Sequence, residues 1–366
     1  MIRSRGLLLP FITLVATSHP VGADEIDDWV KSEMQARHVP AVSIAVVKDG
    51  ALIRAESYGV ADIERAAATS SNSVFKIGST SKQFLAAGIM LLVQDQKLGV
   101  DDNLAKCLDE VPDVWRAITI RQLLTHTSGL PREAPGFDPY KIQSDLEIIR
   151  SAYPVAVHAK PGNQYEYSNL GYYILAEVIS RVSGKPWPAF LDERIFKPLG
   201  MASTRTTSAS ALVPNRVSGY VWNDGLHANA EQWLALRPSG AFLSTATDMA
   251  KWEIALQSDR ILTPESKRQM WTPVKLNNGA DYPYGFGWEV DHFPNGVPPT
   301  GVPMIRHEGS IPGFRSVYWR LPDRNLTVIV LSNLQDAGLD KLTAGIALRY
   351  DRTLLAAYQK RWPDQR

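Results

Sequence analysis

Apolar residues recur along this chain with two different periods, and the changes of period divide it. Residues 41–48 (AVSIAVVK) form an almost unbroken β-branched run. Asp49-Gly50 follows, then residues 51–60 (ALIRAESYGV), and two strand-like runs joined by Asp-Gly predict a hairpin. Residues 26–37 predict a helix covering one face of it. Phe84, Leu85, Ile89, Leu92 and Val93 recur at helical spacing and predict a helix over residues 79–96. From residue 99 to 229 prolines and glycines punctuate short helical segments, 118–124, 170–182 and 187–195, and long alternating strands are missing. Strand patterns return at 284–290, 313–320 and 326–333, the last two joined by the turn Pro322-Asp323-Arg324-Asn325. Residues 339–359 predict one long closing helix.

The fold class that follows is α/β, more closely α+β. An antiparallel sheet is built from both chain ends and flanked by helices, and a mostly helical unit is inserted in its middle. The boundaries are 24–98 and 230–366 for the α/β domain and 99–229 for the helical domain. No repeats or low-complexity tracts interrupt this pattern.

Composition adds a destination. The chain has 366 residues, 45% hydrophobic and 21% charged, which suits a globular protein with a sizeable core. Arg3 and Arg5 precede an apolar run over residues 6–17, and Val21-Gly22-Ala23 offers small residues for cleavage. Residues 1–23 therefore predict a secretory signal peptide and a periplasmic or secreted protein, with no membrane anchor after cleavage. Removing them takes two arginines and no acids, so 39 basic against 38 acidic residues becomes 37 against 38, a formal charge of −1. That balance gives no basic field for nucleic acid. The single cysteine, Cys107, excludes an internal disulfide, and the seven histidines show no metal-ligand spacing, so neither a metal nor a cofactor is expected. No oligomeric state follows from these features.

The candidate chemistry starts at Ser79-Thr80-Ser81-Lys82. Residues three apart on a helix face the same way, so the Ser79 hydroxyl and the Lys82 amine can share a proton. A desolvated lysine can then activate the serine for acyl transfer. At ordinary residue frequencies roughly one or two such spacings arise by chance in a chain this long. The same residues would also serve a plain helix start, with Ser79 or Thr80 as N-cap. Two further stretches add to the picture. In Tyr167-Ser168-Asn169 an ammonium neighbour would lower the phenol's pKa and make Tyr167 a base or proton shuttle, while Asn169 could bridge Lys82 and a substrate amide. Ser168 or Asn169 could instead only cap the helix that follows. In His307-Glu308-Gly309-Ser310, Gly309 would let a substrate approach, and the Ser310 and Ser79 amides would form an oxyanion hole. His307 could orient Tyr167 or meet a substrate carboxylate, or be a strand-end histidine without a role.

In this order the three stretches resemble the motifs of the serine β-lactamase and penicillin-binding-protein superfamily. The Tyr-x-Asn form is similar to the class C β-lactamase branch, with its D-alanyl-D-alanine carboxypeptidases, D-aminopeptidases and β-lactamase-like esterases. Phe75-Lys76-Ile77-Gly78, the stretch Leu123–Leu130, Ser244-Thr245-Ala246-Thr247-Asp248-Met249 and Ile311-Pro312-Gly313-Phe314 fit the same pattern. The resemblance implies a β-lactamase/transpeptidase-like fold with Ser79 as acylated nucleophile and Lys82 and Tyr167 sharing base and acid duties. Asn169, His307, Gly309 and Ser310 bind substrate in that scheme, and His126 is a packed wall of the cleft. His-Glu-Gly stands where class C enzymes usually carry Lys-Thr-Gly, and a histidine is mostly uncharged near neutral pH. The expected function is a serine hydrolase acting on an ester or amide, with a small-molecule or peptide acyl substrate. A β-lactamase or D-Ala-D-Ala carboxypeptidase, and a non-turnover penicillin-binding or sensor protein, are the alternatives. Specificity is expected from residues 132–145 and from Trp222, Trp233 and Arg315.

Overall fold

Alternating apolar positions place a core on each face of one large sheet. The computed structural model describes residues 23–206, 211–234, 237–240, 242–294 and 301–363, so residues 1–22 of the expected leader lie outside the described residues. The strands are β1 (Ala41–Lys48), β2 (Ala51–Asp62), β3 (Ala67–Ala68), β4 (Glu289–Phe293), β5 (Val302–Ile311), β6 (Phe314–Leu321) and β7 (Leu326–Ser332). They pair antiparallel throughout in the order β4-β5-β6-β7-β1-β2-β3. Pairing of β1 with β7, Val42 opposite Ser332, joins the two ends of the chain. At the β1–β2 turn Asp49 and Gly50 both have positive φ, 49° and 77°, as a tight two-residue hairpin requires.

Side chains alternate across each strand. Val328 and Val330 join a core with Ile26 and Val30 of α1 (Ala23–Ala36) and Leu342 and Ile346 of α5 (Asp340–Tyr350). Ile329 and Leu331 face the larger core, which contains Phe84, Leu85 and Ile89 of α2 (Lys82–Gln94). With both faces covered, the central strands read as continuous apolar runs. The middle of the chain is helical, with α3 (Asn169–Ser183) its longest helix, and carries one short hairpin, Tyr220–Asn223 with Leu226–Asn229. The helix α4 (Ala246–Leu256) follows it. No helix among the described residues is long and apolar enough to cross a membrane.

Three expected elements differ and one strand is new. The closing segment is two α-helices, α5 and Leu355–Arg361, because Asp351 is extended at φ −141° and its carboxylate caps the Thr353 amide at 3.0 Å. The segment 284–290 is mostly a turn, and its strand starts at Glu289. β5 went unpredicted because Pro303, His307, Glu308, Gly309 and Ser310 break any apolar alternation. It puts His307 inside a strand rather than at its end. The serine is not at an α-helix start. Gly78–Ser81 is a 3-10 turn, α2 begins at Lys82, and neither element has a side-chain cap, so Ser79 and Thr80 are not N-caps.

Candidate active site

The serine turn is bolted down on every side except the one that carries the Ser79 hydroxyl. Gly78, Thr80 and Ser81 are buried while Ser79 is partly exposed. Ser316 Oγ donates to Ile77 O at 2.7 Å, so the 2.7 Å contact from Thr80 must run from Thr80 Oγ1 to Ser316 Oγ. Ser81 Oγ donates to Gly78 O at 2.6 Å, and the Ile77 amide donates to Phe242 O at 3.0 Å. β4 pairs only with residues 302–306 of β5, so residues 307–311 present an edge to this turn. The approach is close enough to dictate two glycines. A Cβ on Gly309 would meet Ile77 O at 1.9 Å, and one on Gly78 (φ +53°) would meet the Ser310 amide at 2.6 Å. Gly309 is therefore glycine to admit the serine turn, not the substrate as its sequence context suggests.

Lys82 is fully buried, with Nζ 3.2 Å from Ser79 Oγ, 2.8 Å from Asn169 Oδ1 and 2.8 Å from Ser239 O. Burial, then Arg237, holds its pKa well below the ordinary lysine value, with Glu133 working the other way. A neutral amine has two N–H donors and one lone pair. Two carbonyl oxygens take the donors, and the lone pair is left for the Ser79 proton. The arrangement can therefore accept that proton without first having to lose one.

Tyr167 lies with its ring 4.7 Å from Lys82 Nζ and 5.1 Å from the Arg132 guanidinium. Its pKa goes up, not down as the motif alone predicts. Burial is the largest cause, and the lowering from the Ser79 hydroxyl and Arg132 is smaller. Burial outweighs both, so Tyr167 is a protonated phenol, suited to giving a proton rather than taking one. Ser168 does cap α3, accepting from the Gly171 amide at 3.0 Å, and Asn169 still turns its side chain into the site. Asn169 Nδ2 donates to Glu133 Oε1 at 2.5 Å, which uses one of its two N–H donors. Glu133 also accepts twice from Arg237 Nη2, at 2.7 Å each, and that guanidinium packs over the rings of Phe137 and Trp233.

His307 does not touch Tyr167; His126 does, with ring centroids 4.2 Å apart. The two histidines are joined through Tyr284, and the proton positions follow from the outer bonds. Ser168 N–H donates to His126 Nδ1 at 3.0 Å, so His126 Nε2 carries the hydrogen and donates to Tyr284 Oη at 3.2 Å. Tyr284 Oη then donates to His307 Nε2 at 3.0 Å, and His307 Nδ1–H donates to Glu308 O at 2.7 Å. Both rings are buried and neutral. Burial is the main cause that lowers His126 well below 6.5 and His307 to about 3. His126 is also held in the left-handed region, at φ +59°. This chain ties the second motif to the third.

Buried neutral histidines carry a cost in acid. The unfolded chain binds a proton near 6.5 that folded His307 refuses until about 3, so stability falls as pH drops through that window. The expected loss is about 1.4 kcal/mol per pH unit from one such histidine. Urea midpoints between pH 7 and pH 5 measure it, and His307→Asn should flatten the slope.

The open cleft in front of Ser79 has a volume of about 510 Å³ and is lined by Arg132, Trp233, Arg315, His307 and Ser310 among others. Trp222 is elsewhere, stacked on His38 at 3.9 Å. Glu133, Ser239 and Tyr284 are members of this site that no motif points to: Glu133 lies in the stretch 132–145 expected to set specificity, Tyr284 in one expected to be a strand, and Ser239 in neither.

The family model described as Beta-lactamase matches residues 26–350. Penicillin-binding protein 4* of Bacillus subtilis (strain 168) is 30% identical over 315 residues, covering 80% of this chain and 68% of that protein. Protein flp of Staphylococcus aureus (strain MW2) is 24% identical over 331 residues, and the chain spans 64% of its length. The crystal structure of D-amino acid amidase from Ochrobactrum anthropi SV3 complexed with L-phenylalanine superposes with a TM-score of 0.75 at 25% identity, covering 92% of this chain and 99% of that one. The stretch matched by the family model takes in the described sheet and the helical middle together.

Proposed function

This chain belongs to the β-lactamase family, a family of serine hydrolases, and from that premise we propose that it cleaves an ester or amide through an acyl-enzyme on Ser79. The observation that carries the proposal is the Lys82 amine, held by two carbonyl acceptors with Ser79 Oγ at 3.2 Å. The Ser79 proton passes to Nζ as Oγ bonds to the acyl carbon. The amides of Ser79 and Ser310 receive the oxyanion. Tyr167 gives its proton to the leaving nitrogen or oxygen as that bond breaks, and Lys82 returns a proton to the phenolate. Water then attacks the acyl carbon, and the same groups run in reverse. Asn169 positions Lys82, while His307 and Gly309 shape the strand beside the serine.

Both signs of charge line the cleft, with Arg132 and Arg315 against Glu289 and Glu308. That lining favours a small polar amide or short peptide over a lipophilic ester, in keeping with the likeness to a D-amino acid amidase. The leader over residues 1–23 supports export of the chain. A second reading, acylation by a β-lactam, is favoured by the relation to penicillin-binding protein 4*. Against efficient β-lactam turnover, His307 is neutral and both of its ring nitrogens are engaged. The test is a panel of p-nitrophenyl acetate, D- and L-phenylalaninamide and nitrocefin. Steady turnover of the ester or an amide, above nitrocefin, is expected. Covalent labelling without turnover of any of them would mark a sensor, and neither labelling nor turnover would refute the proposal.

Glu133 is a positioning residue in this scheme, since it fixes which way the Asn169 amide points. Glu133→Gln should lower kcat/KM by about 10- to 100-fold, the cost of one charged hydrogen bond. Glu133 also raises the Lys82 pKa, so its neutral replacement should move the acid limb of the kcat/KM profile to lower pH. A limb that stays in place would contradict the coupling.

A further inference from the structure

A second pocket, separate from the catalytic cleft, carries two cationic side chains that have no hydrogen-bonded or ion-paired acceptor among the described residues. It is open, about 640 Å³ in volume, and shares no lining residue with the cleft. Lys76 lies at its wall on the strand segment Phe75–Lys76 that leads into the serine turn. Its side chain is only 4% exposed, and among the described residues it makes no hydrogen bond or ion pair. Its one described contact of this kind is a distant one, with Nζ 5.8 Å from the centroid of the Phe314 ring. Arg216, in the same wall, likewise has no hydrogen-bonded or ion-paired acceptor among the described residues. The carboxylate present, Asp62, is already engaged by the Arg65 amide at 2.9 Å, Ser218 Oγ at 3.0 Å and the Arg65 guanidinium at 3.5 Å.

Buried charges in folded proteins are paired, because an unpaired one forfeits its hydration without compensation. Lys76 is the nearly buried one, and the Arg216 guanidinium, exposed in the same wall, adds positive field beside it. We propose that this pocket is a binding site for an oxyanion, a carboxylate or a phosphate, with Lys76 and Arg216 as its two cationic ligands. An ammonium and a guanidinium supply charge-assisted donors of the kind such groups select. Burial, with Arg216 adding to it, pushes the Lys76 amine down to about 8, which an incoming anion would reverse. The hydroxyls of Ser70 and Ser73 border the same space. Among the described residues neither cation is hydrogen-bonded to Ser79, Lys82 or Tyr167, and the two pockets share no lining residue.

The experiment is calorimetric titration of the full chain with inorganic phosphate and, separately, with succinate, at constant ionic strength set by chloride. Saturable binding of at least one is expected, and which one binds identifies the source of the oxyanion. Arg216→Gln and Lys76→Met should each weaken it tenfold or more, while fluorophosphonate labelling of Ser79 in Arg216→Gln keeps its wild-type rate. Arg216 is exposed, so that variant reads the site even if Lys76→Met fails to fold. The proposal is overturned if neither anion binds, if binding is unchanged in the variants, or if prior labelling of Ser79 abolishes it, which would place the anion in the catalytic cleft.

Discussion

Ser79→Ala is expected to lower kcat on the best ester or amide by on the order of 10⁴- to 10⁶-fold, with folding intact. Ser79 Oγ takes part in none of the bonds that hold its own turn. Those run through Thr80, Ser81, Ser316 and the Ile77 backbone. Removing one partly exposed oxygen therefore takes away the nucleophile and little else. Binding should survive, because the cleft walls and the motif backbone are untouched. The measurement is kcat and KM side by side, together with the thermal midpoint. A variant that keeps more than a few per cent of wild-type kcat would show that the acyl group is carried elsewhere.

Lys82→Met should be the next most damaging change, about 10²- to 10⁴-fold in kcat/KM, the usual worth of a positioned general base. Methionine fills much the same fully buried space but offers no lone pair to Ser79 Oγ–H and no donors to Asn169 Oδ1 and Ser239 O. The two orphaned carbonyls should cost about 1–3 kcal/mol each in stability. Loss of a buried amine offsets part of that. The wild-type pH profile supplies the complementary check. Because burial lowers the Lys82 pKa, the acid limb of kcat/KM should lie well below the ordinary lysine value. A rate that keeps climbing towards the ordinary lysine value near 10.5 would mean a charged lysine and a different base.

What the sequence discloses about this site is what is local in it. Ser79 and Lys82 are one turn apart, and Tyr167, Ser168 and Asn169 are consecutive, so their spacing alone suggests shared work. The hairpin at Asp49-Gly50 and the buried runs in β1 and β7 are legible for the same reason. What stays hidden is non-local. Glu133 reaches Asn169 across 36 positions, Ser239 reaches Lys82 across 157, and Tyr284 reaches His126 across 158. No periodicity records such meetings, which depend on how the helical middle folds back against β5. The direction of the Tyr167 shift is lost for a related reason. An ammonium nearby lowers a phenol's pKa, but the same burial that raises Tyr167 also disfavours the ammonium form of the lysine. Gly309 is instructive too, since its motif context suggests room for a substrate and its real neighbour is the carbonyl of Ile77.

The most direct test is intact-mass analysis and peptide mapping after treatment with a fluorophosphonate. One adduct per chain is expected, on the peptide carrying Ser79, and it should vanish in Ser79→Ala and form far more slowly in Lys82→Met. An adduct on any other residue, or none at all with a folded chain, would contradict the proton path from Ser79 to Lys82.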